Sequence, residues 1–292
     1  MILPVEVRRA RLAKQSSDVS PLQRGVIFSK LVTFTAHMFR PRVIPLLLLK
    51  NKGLVKSVKF SDYTYIGDPI NAVKIFNDLK ADELVLLDIM ATKEKRSIDL
   101  DFVREVGDEA NMPVAVGGGI QTIRQIKDII NAGAEKVVIN AAAIRNPGFI
   151  KAASEEFGSS TIVVAIDVKK KFLGRRQVYT EGGSRATGLD PVQWAQEMEA
   201  NGAGELLVTS IEHDGLMQGY DLPLISSLAA AVDIPVVAAG GAGGLTDFEA
   251  AVQTAHASAV AAGSLFVYHG PRRAVLVNYP KSTDLITLFN LS

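Results

Sequence analysis

Apolar residues in this chain come in short unbroken runs, not in strict alternation with polar ones. The runs lie at 43–49, 83–88, 114–117, 136–140, 162–167, 205–211, 235–239 and 259–262, and Val, Ile, Leu and Ala dominate them. A strand with one wet face alternates; a strand buried on both faces does not. The runs therefore predict strands covered on both sides. Between them lie segments with helical spacing, such as "DPINAVKIFNDLK" over 68–80 and "PVQWAQEMEAN" over 191–201. Helical segments end in Gly-Ala turns at Gly133-Ala134 and Gly202-Ala203. Strands alternating with helices in this number, over about 250 residues, make a (β/α)8 TIM barrel of the α/β class. A doubly wound open sheet would carry a glycine-rich turn after its first strand. None follows the first run here.

Residues 1–37 break the pattern. Arg8, Arg9, Arg11, Lys14, Arg24 and Lys30 face only Glu6 and Asp18, and no period is sustained. This stretch reads as an extension with weak or absent structure, ahead of a barrel spanning 38–292. Met38 is a candidate start of the domain.

Composition narrows the chemistry. The formal net charge of +1 gives no broad surface for nucleic acid or membrane. The chain has no cysteine, which removes disulfides, thiolate metal sites and a cysteine nucleophile. The histidines, His37, His213, His256 and His269, lack metal-ligand spacing. No apolar run reaches the roughly 18 residues of a membrane span, and the N-terminus lacks a signal-peptide core. The expectation is a cytoplasmic single-domain enzyme without metal or cofactor.

The sequence also repeats itself. "VAVGGGIQTIRQIKDIINAGAEKVVINAAAI" from Val114 matches "VVAAGGAGGLTDFEAAVQTAHASAVAAGSLF" from Val236. At a constant offset Gly118 falls on Gly240, Gly119 on Gly241, Ala134 on His256 and Ala142 on Ser264. Each copy reads strand, Gly-rich turn, helix, strand, small-residue turn, which predicts two half-barrels. Backbone N–H groups in such turns can close around phosphate oxygens, and a helix N-terminus adds partial positive charge. Gly118, Gly119, Asn140 and Ala141 form one candidate site; Gly240, Gly241, Gly263 and Ser264 form the other. Two such sites suit a substrate with a phosphate at each end.

Asp88, Asp167 and Thr209 end apolar runs on the same rim, and Asp214 follows close behind. Asp167, after the wholly apolar "IVVAI", is the candidate acid–base group, because burial raises a carboxyl pKa. His213 in "EHDG" reads as a solvent-facing turn residue. At the opposite end Arg42, Glu83, Lys136 and Glu205 each open or precede an apolar run. Charges at the bottom of a barrel need partners, so these four predict a paired layer.

With those residues in view, the chain from Met38 to about residue 270 resembles HisF, the cyclase subunit of imidazole glycerol phosphate synthase. The motifs that carry the resemblance are "DELVLLDI", "VAVGGGI", "GAEKVVINAAAI", "VVAIDVK", "NGAGELLVTSIEHDG" and "VVAAGGAGG". The resemblance implies a lyase or cyclase of two half-barrels, and a HisH-type glutaminase partner docked at the bottom. It implies ammonia passing Arg42, Glu83, Lys136 and Glu205 as a gate, on its way to a bisphosphorylated substrate at the top. Lys56 falls on the family's lysine, a stabiliser of anionic substrate. The family's first-strand aspartate, acid–base partner of the one at Asp167, falls on Leu48. Leucine cannot transfer a proton. The segments "IPLLLLKNKGLVKSVKF", "YIGDPINAVKIFNDLKADELVLLDI" and "AVLVNYP" resemble a second HisF-like paralogue. That paralogue accompanies a glutaminase and a sugar amidotransferase in surface-polysaccharide synthesis. Three readings follow: ammonia supply for sugar amidation, authentic cyclase of histidine biosynthesis, or a non-catalytic conduit that activates its glutaminase.

Overall fold

The computed structural model describes residues 40–171 and 174–289. The extension expected over 1–37 lies outside them. Within them the chain closes a barrel of parallel strands: β1 (Arg42–Lys50), β4 (Leu84–Asp88), β5 (Val114–Gly117), β6 (Lys136–Ile139), β7 (Ile162–Lys170), β10 (Glu205–Ser210), β11 (Val236–Ala239) and β12 (Ala259–Ala262). Neighbours pair in that order, β12 returns to β1, and every one of these pairings is parallel. The expected (β/α)8 barrel is the observed fold, and its strand ends differ from the expected ones by no more than a few residues.

The unbroken apolar runs have two cores to fill. Inside the barrel lie Ile44, Val85, Ala115, Val138, Val163 and Leu207, with small alanines on β11 and β12. Outside, the other face of each strand meets the helices in a larger layer that includes Phe76, Ile126, Leu206 and Phe248. Helix starts follow local chemistry. Asp68 accepts the Asn71 N–H at 2.9 Å and Pro69 opens the helix Pro69–Asp78. Asp190 and Pro191 do the same for Pro191–Ala200, with Asp190 accepting from Val192 and Gln193. Proline loses nothing there, because the first helical N–H has no partner in any case.

Two antiparallel hairpins escaped the pattern. β2 (Gly53–Val58) and β3 (Ser61–Gly67) fold back on β1, while β8 (Arg176–Thr180) and β9 (Arg185–Ala186) fold back on β7. They occupy matching places in the two halves, each above the first strand of its half-barrel.

The repeat holds, but not at a constant offset. Ala115 pairs with Lys136 in the first copy, and Val237 with Ala259 in the second. The second copy therefore carries one more residue between helix and strand. The Ala257 N–H bonds to the Ala251 carbonyl, one residue further back than Ala134 reaches to Ile129. The extra position is taken up at His256, whose φ of 59° stands where Gly133 has 109°. Ala141, not Ala142, is thus the counterpart of Ser264, and Asn140 the counterpart of Gly263.

Candidate functional site

Parallel strands all point their C-termini to one face, and there the structure opens a pocket of about 160 Å³. Its floor is apolar, with Leu46, Leu48, Leu87, Val138 and Leu207; its rim is polar. All the expected rim residues meet in it: Lys56, Asp88, Gly118, Gly119, Asn140, Ala141, Asp167, Thr209, Asp214, Gly240, Gly241, Gly263 and Ser264. The turn at Gly119 has no room for a side chain. Its φ is +63°, and a Cβ there would sit 1.8 Å from the Arg96 carbonyl oxygen.

Asp167 ends the apolar part of β7. Asn140 Nδ2 donates to its Oδ2 at 3.0 Å and to the Ala165 carbonyl at 3.2 Å. Thr180 Oγ1 donates to Asn140 Oδ1 at 2.8 Å, which fixes the amide's orientation. Desolvation by burial pushes the Asp167 carboxyl up to about 7; the charge of Asp214 adds to this and the Asn140 amide opposes it. A carboxyl near neutrality can both give and take a proton at ordinary pH.

The matching corner of the other half is built differently. Leu46 on β1 pairs with Val85, as Ala165 on β7 pairs with Leu207. Leu48 therefore stands where β7 has Asp167. Leu48 pairs with Val55 and Asp167 with Tyr179, so Lys56 and Thr180 occupy equivalent hairpin positions. Lys56 is 6% exposed, and its Nζ donates to the Leu46 carbonyl at 3.1 Å. That carbonyl is the counterpart of Ala165 O. The lysine ammonium thus sits where the other half puts the Asn140 amide, and Gly263 leaves the space: a Cβ on Gly263 would lie 1.7 Å from Nζ. Desolvation by burial brings the lysine down to about 8, against the opposing charge of Asp214.

The remaining rim acids hold loops. Asp88 accepts the N–H groups of Met90 and Ala91 and pairs with Arg96 at 2.6 Å. Asp214 Oδ2 accepts from Ser57 Oγ at 2.6 Å and from the Phe60 N–H at 3.3 Å, and so ties down the β2–β3 turn. His213, expected to face solvent, is half-buried, its Nδ1 2.9 Å from the Gly219 carbonyl oxygen. The loop returns over it, because Gly219 N–H also binds the Gly241 carbonyl. Of the lysines at the end of the first strand and just past it, Lys50 lies over the Tyr63 ring at 4.5 Å and Lys52 is exposed. Sequence reasoning missed Phe60, Tyr63, Lys93 and Arg145, which also line the pocket. Phe60, Tyr63 and Lys93 arrive on turns and a hairpin, and Arg145 ends the short helix Ala141–Arg145; none has a motif of its own.

At the other end, Arg42 pairs with Glu83 and Glu205, and Lys136 pairs with the same two acids at 2.9 Å each. The four side chains close a ring across the barrel. A cavity of about 10 Å³ lies against Glu83 and Glu205, lined otherwise by interior residues such as Ile44, Val138 and Leu207. Among the described residues, no helix is long and apolar enough to cross a membrane.

A family model described as "Histidine biosynthesis protein" matches residues 42–271. The chain is 46% identical over 248 residues to the "Putative imidazole glycerol phosphate synthase subunit hisF2" of Pseudomonas aeruginosa, covering 85% of this chain and 99% of that protein. It is 43% identical over 253 residues to the "Putative imidazole glycerol phosphate synthase subunit HisF" of Leptospira interrogans, covering 86% and 100%. To the "Imidazole glycerol phosphate synthase subunit HisF" of Alkaliphilus metalliredigens it is 44% identical over 232 residues, covering 80% and 92%.

Proposed function

The chain belongs to the histidine biosynthesis protein family, among its HisF-like imidazole glycerol phosphate synthase subunits, and from that premise we propose that it takes ammonia from a HisH-type glutaminase at the barrel bottom and delivers it to an acceptor in the upper pocket. The observation that carries this reading is the closed ring of Arg42, Glu83, Lys136 and Glu205, with a small interior cavity directly against it. Two cations and two anions cancel, which makes such a ring tolerable away from water. The cavity of about 10 Å³ is near the lower limit for one water-sized molecule, and ammonia is of that size. A small side-chain shift in the ring would admit a neutral guest. Above it, the backbone turns at Gly118–Gly119 and Gly240–Gly241, opposite each other on the rim, suit an acceptor with anionic groups at both ends.

Leu48 favours an acceptor other than the histidine-pathway substrate. Among the described residues of the pocket, Asp167 is the carboxyl raised toward neutrality, and a sugar taking ammonia in surface-polysaccharide synthesis is the acceptor we favour. Authentic cyclase activity is the second reading, favoured by the 44% identity to the Alkaliphilus subunit.

Coupling measurements test ammonia transfer. With the glutaminase present, Lys136→Ala should lower glutamine-driven product formation while leaving activity on added ammonium much less affected. Removing one partner of a buried ion pair costs about 3–5 kcal/mol, so the variant's melting curve is read alongside, with Arg42→Lys as the milder change. Equal losses with both nitrogen sources would reduce the ring to a structural layer.

A further inference from the structure

We infer that Lys56 is a nucleophilic amine that condenses with the carbonyl group of a small phosphorylated aldose or ketose in the upper pocket, forming an iminium adduct. The geometry comes from Leu48, which stands on β1 where β7 carries Asp167. Among the described residues Lys56 Nζ has no carboxylate within salt-bridge distance, and its hydrogen-bond acceptor is a single carbonyl, Leu46 O at 3.1 Å. The two acids of the pocket nearest in role are committed elsewhere: Asp167 to Asn140, Asp214 to Ser57 and the Phe60 N–H. Leu46 and Leu48 line the same pocket as the amine, and apolar surroundings oppose its charge. A lysine so placed is the kind that forms Schiff bases. The depressed value of about 8 agrees with this geometry.

The same pocket supplies the rest of the chemistry. The neutral amine attacks the carbonyl carbon; a C–N bond forms, the C=O π bond breaks, and the oxygen takes up the proton that the nitrogen gives up. Loss of that hydroxyl as water needs a second proton and leaves a cationic iminium. Asp167 lines the same pocket and holds its proton to about 7, so it can donate it. The carboxylate so formed can then take a proton from the carbon next to the iminium. Lys93 and Arg145, also on the pocket wall, match a phosphate on the sugar. This inference does not rest on ammonia transfer, because the amine comes from the protein itself.

The full chain is incubated with dihydroxyacetone phosphate and sodium cyanoborohydride at pH 7.5, between the values of about 7 for Asp167 and about 8 for Lys56, and intact and peptide masses are recorded. One reduced adduct per chain, mapping to the peptide that contains Lys56, is expected. Lys56→Met should abolish it. Leu48→Asp, which puts a carboxylate beside the amine and keeps it protonated, should slow labelling by about tenfold for each unit that the lysine rises. Leu48→Asp and the peptide map of the parent decide the matter even where Lys56→Met does not fold. Adducts spread over surface lysines with Lys56 unmodified, or labelling of Leu48→Asp at the parental rate, would overturn the inference.

Discussion

The two halves of this barrel share a backbone plan and differ at one corner. At the corner where the second half begins, β7 carries Asp167, Asn140 at the end of β6 donates to it, and Thr180 orients Asn140. At the corner where β12 returns to β1, the equivalent places hold Leu48, Gly263 and Lys56. Lys56 reaches the carbonyl that Asn140 reaches in the other half, and does so from the hairpin instead of from the strand end. One half therefore presents a hydrogen-bonded carboxyl, the other a buried amine beside leucine. A repeated fold can keep its glycine turns and still divide its chemistry, because a corner is set by three side chains and the turns are set by the backbone.

Exchanging the corner residues should have the largest effect. Ammonia-dependent turnover of the bisphosphate substrate of imidazole glycerol phosphate synthase is the readout. Asp167→Asn should lower any such turnover by about 10²–10⁴-fold, the usual contribution of a positioned acid or base. Leu48→Asp should raise it by about 10²-fold, making the two halves alike. A parent that already works at the rate of a family member with both acids would remove the contrast and assign the protein to histidine synthesis.

The pH dependence of stability separates the halves in sign. Native Asp167 keeps its proton up to about 7, whereas the unfolded chain releases it near 3.8. Between those values the native state binds more protons, so this group makes stability fall as pH rises. Native Lys56 loses its proton at about 8, whereas the unfolded chain holds it to 10.5. Over that window the unfolded state binds more protons, and stability rises with pH. Together the two corners should place a minimum between pH 7 and 8. Denaturant midpoints at pH 5, 7.5 and 10 test it. Asp167→Asn should flatten the lower arm and Lys56→Met the upper one; arms that persist in both variants would mean other groups set them.

The smallest effect concerns the niche that Gly263 leaves. Gly263→Ala would crowd Lys56 Nζ, and overpacking of this kind costs about 1–3 kcal/mol. In a Lys56→Thr background the same change should cost less, since the lysine contacts are gone and only the Leu46 carbonyl oxygen, 2.9 Å from such a Cβ, still crowds it. Additive losses in that double-mutant cycle would show that Lys56 does not occupy the niche.

Much of this was legible along the chain. Each barrel strand announced itself because both of its faces are buried. The hairpins did not: β3 reads "SDYTYIG" and is mostly exposed, and "RQVYT" is short and half polar. The candidate site was legible at its turns and at Asp167, where glycine or an acid ends an apolar run. Thr180 was not, since its tie to Asn140 spans 40 residues and a lone threonine carries no motif. Phe60 and Tyr63 came with the unrecognised hairpin.

By itself the sequence determined the layered α/β plan, the doubling of the half-barrel, the charge that heads each of four strands and the leucine at position 48. These follow from local pattern, because burial on both faces and tight glycine turns constrain residue type position by position. Tertiary structure alone decided that Arg42, Glu83, Lys136 and Glu205 close into a ring, and that one extra residue at His256 moves the repeat's register. It alone decided that Lys56 takes the place of an asparagine amide. Each depends on groups brought together from distant parts of the chain by barrel closure, and periodicity within a segment carries no record of such partners.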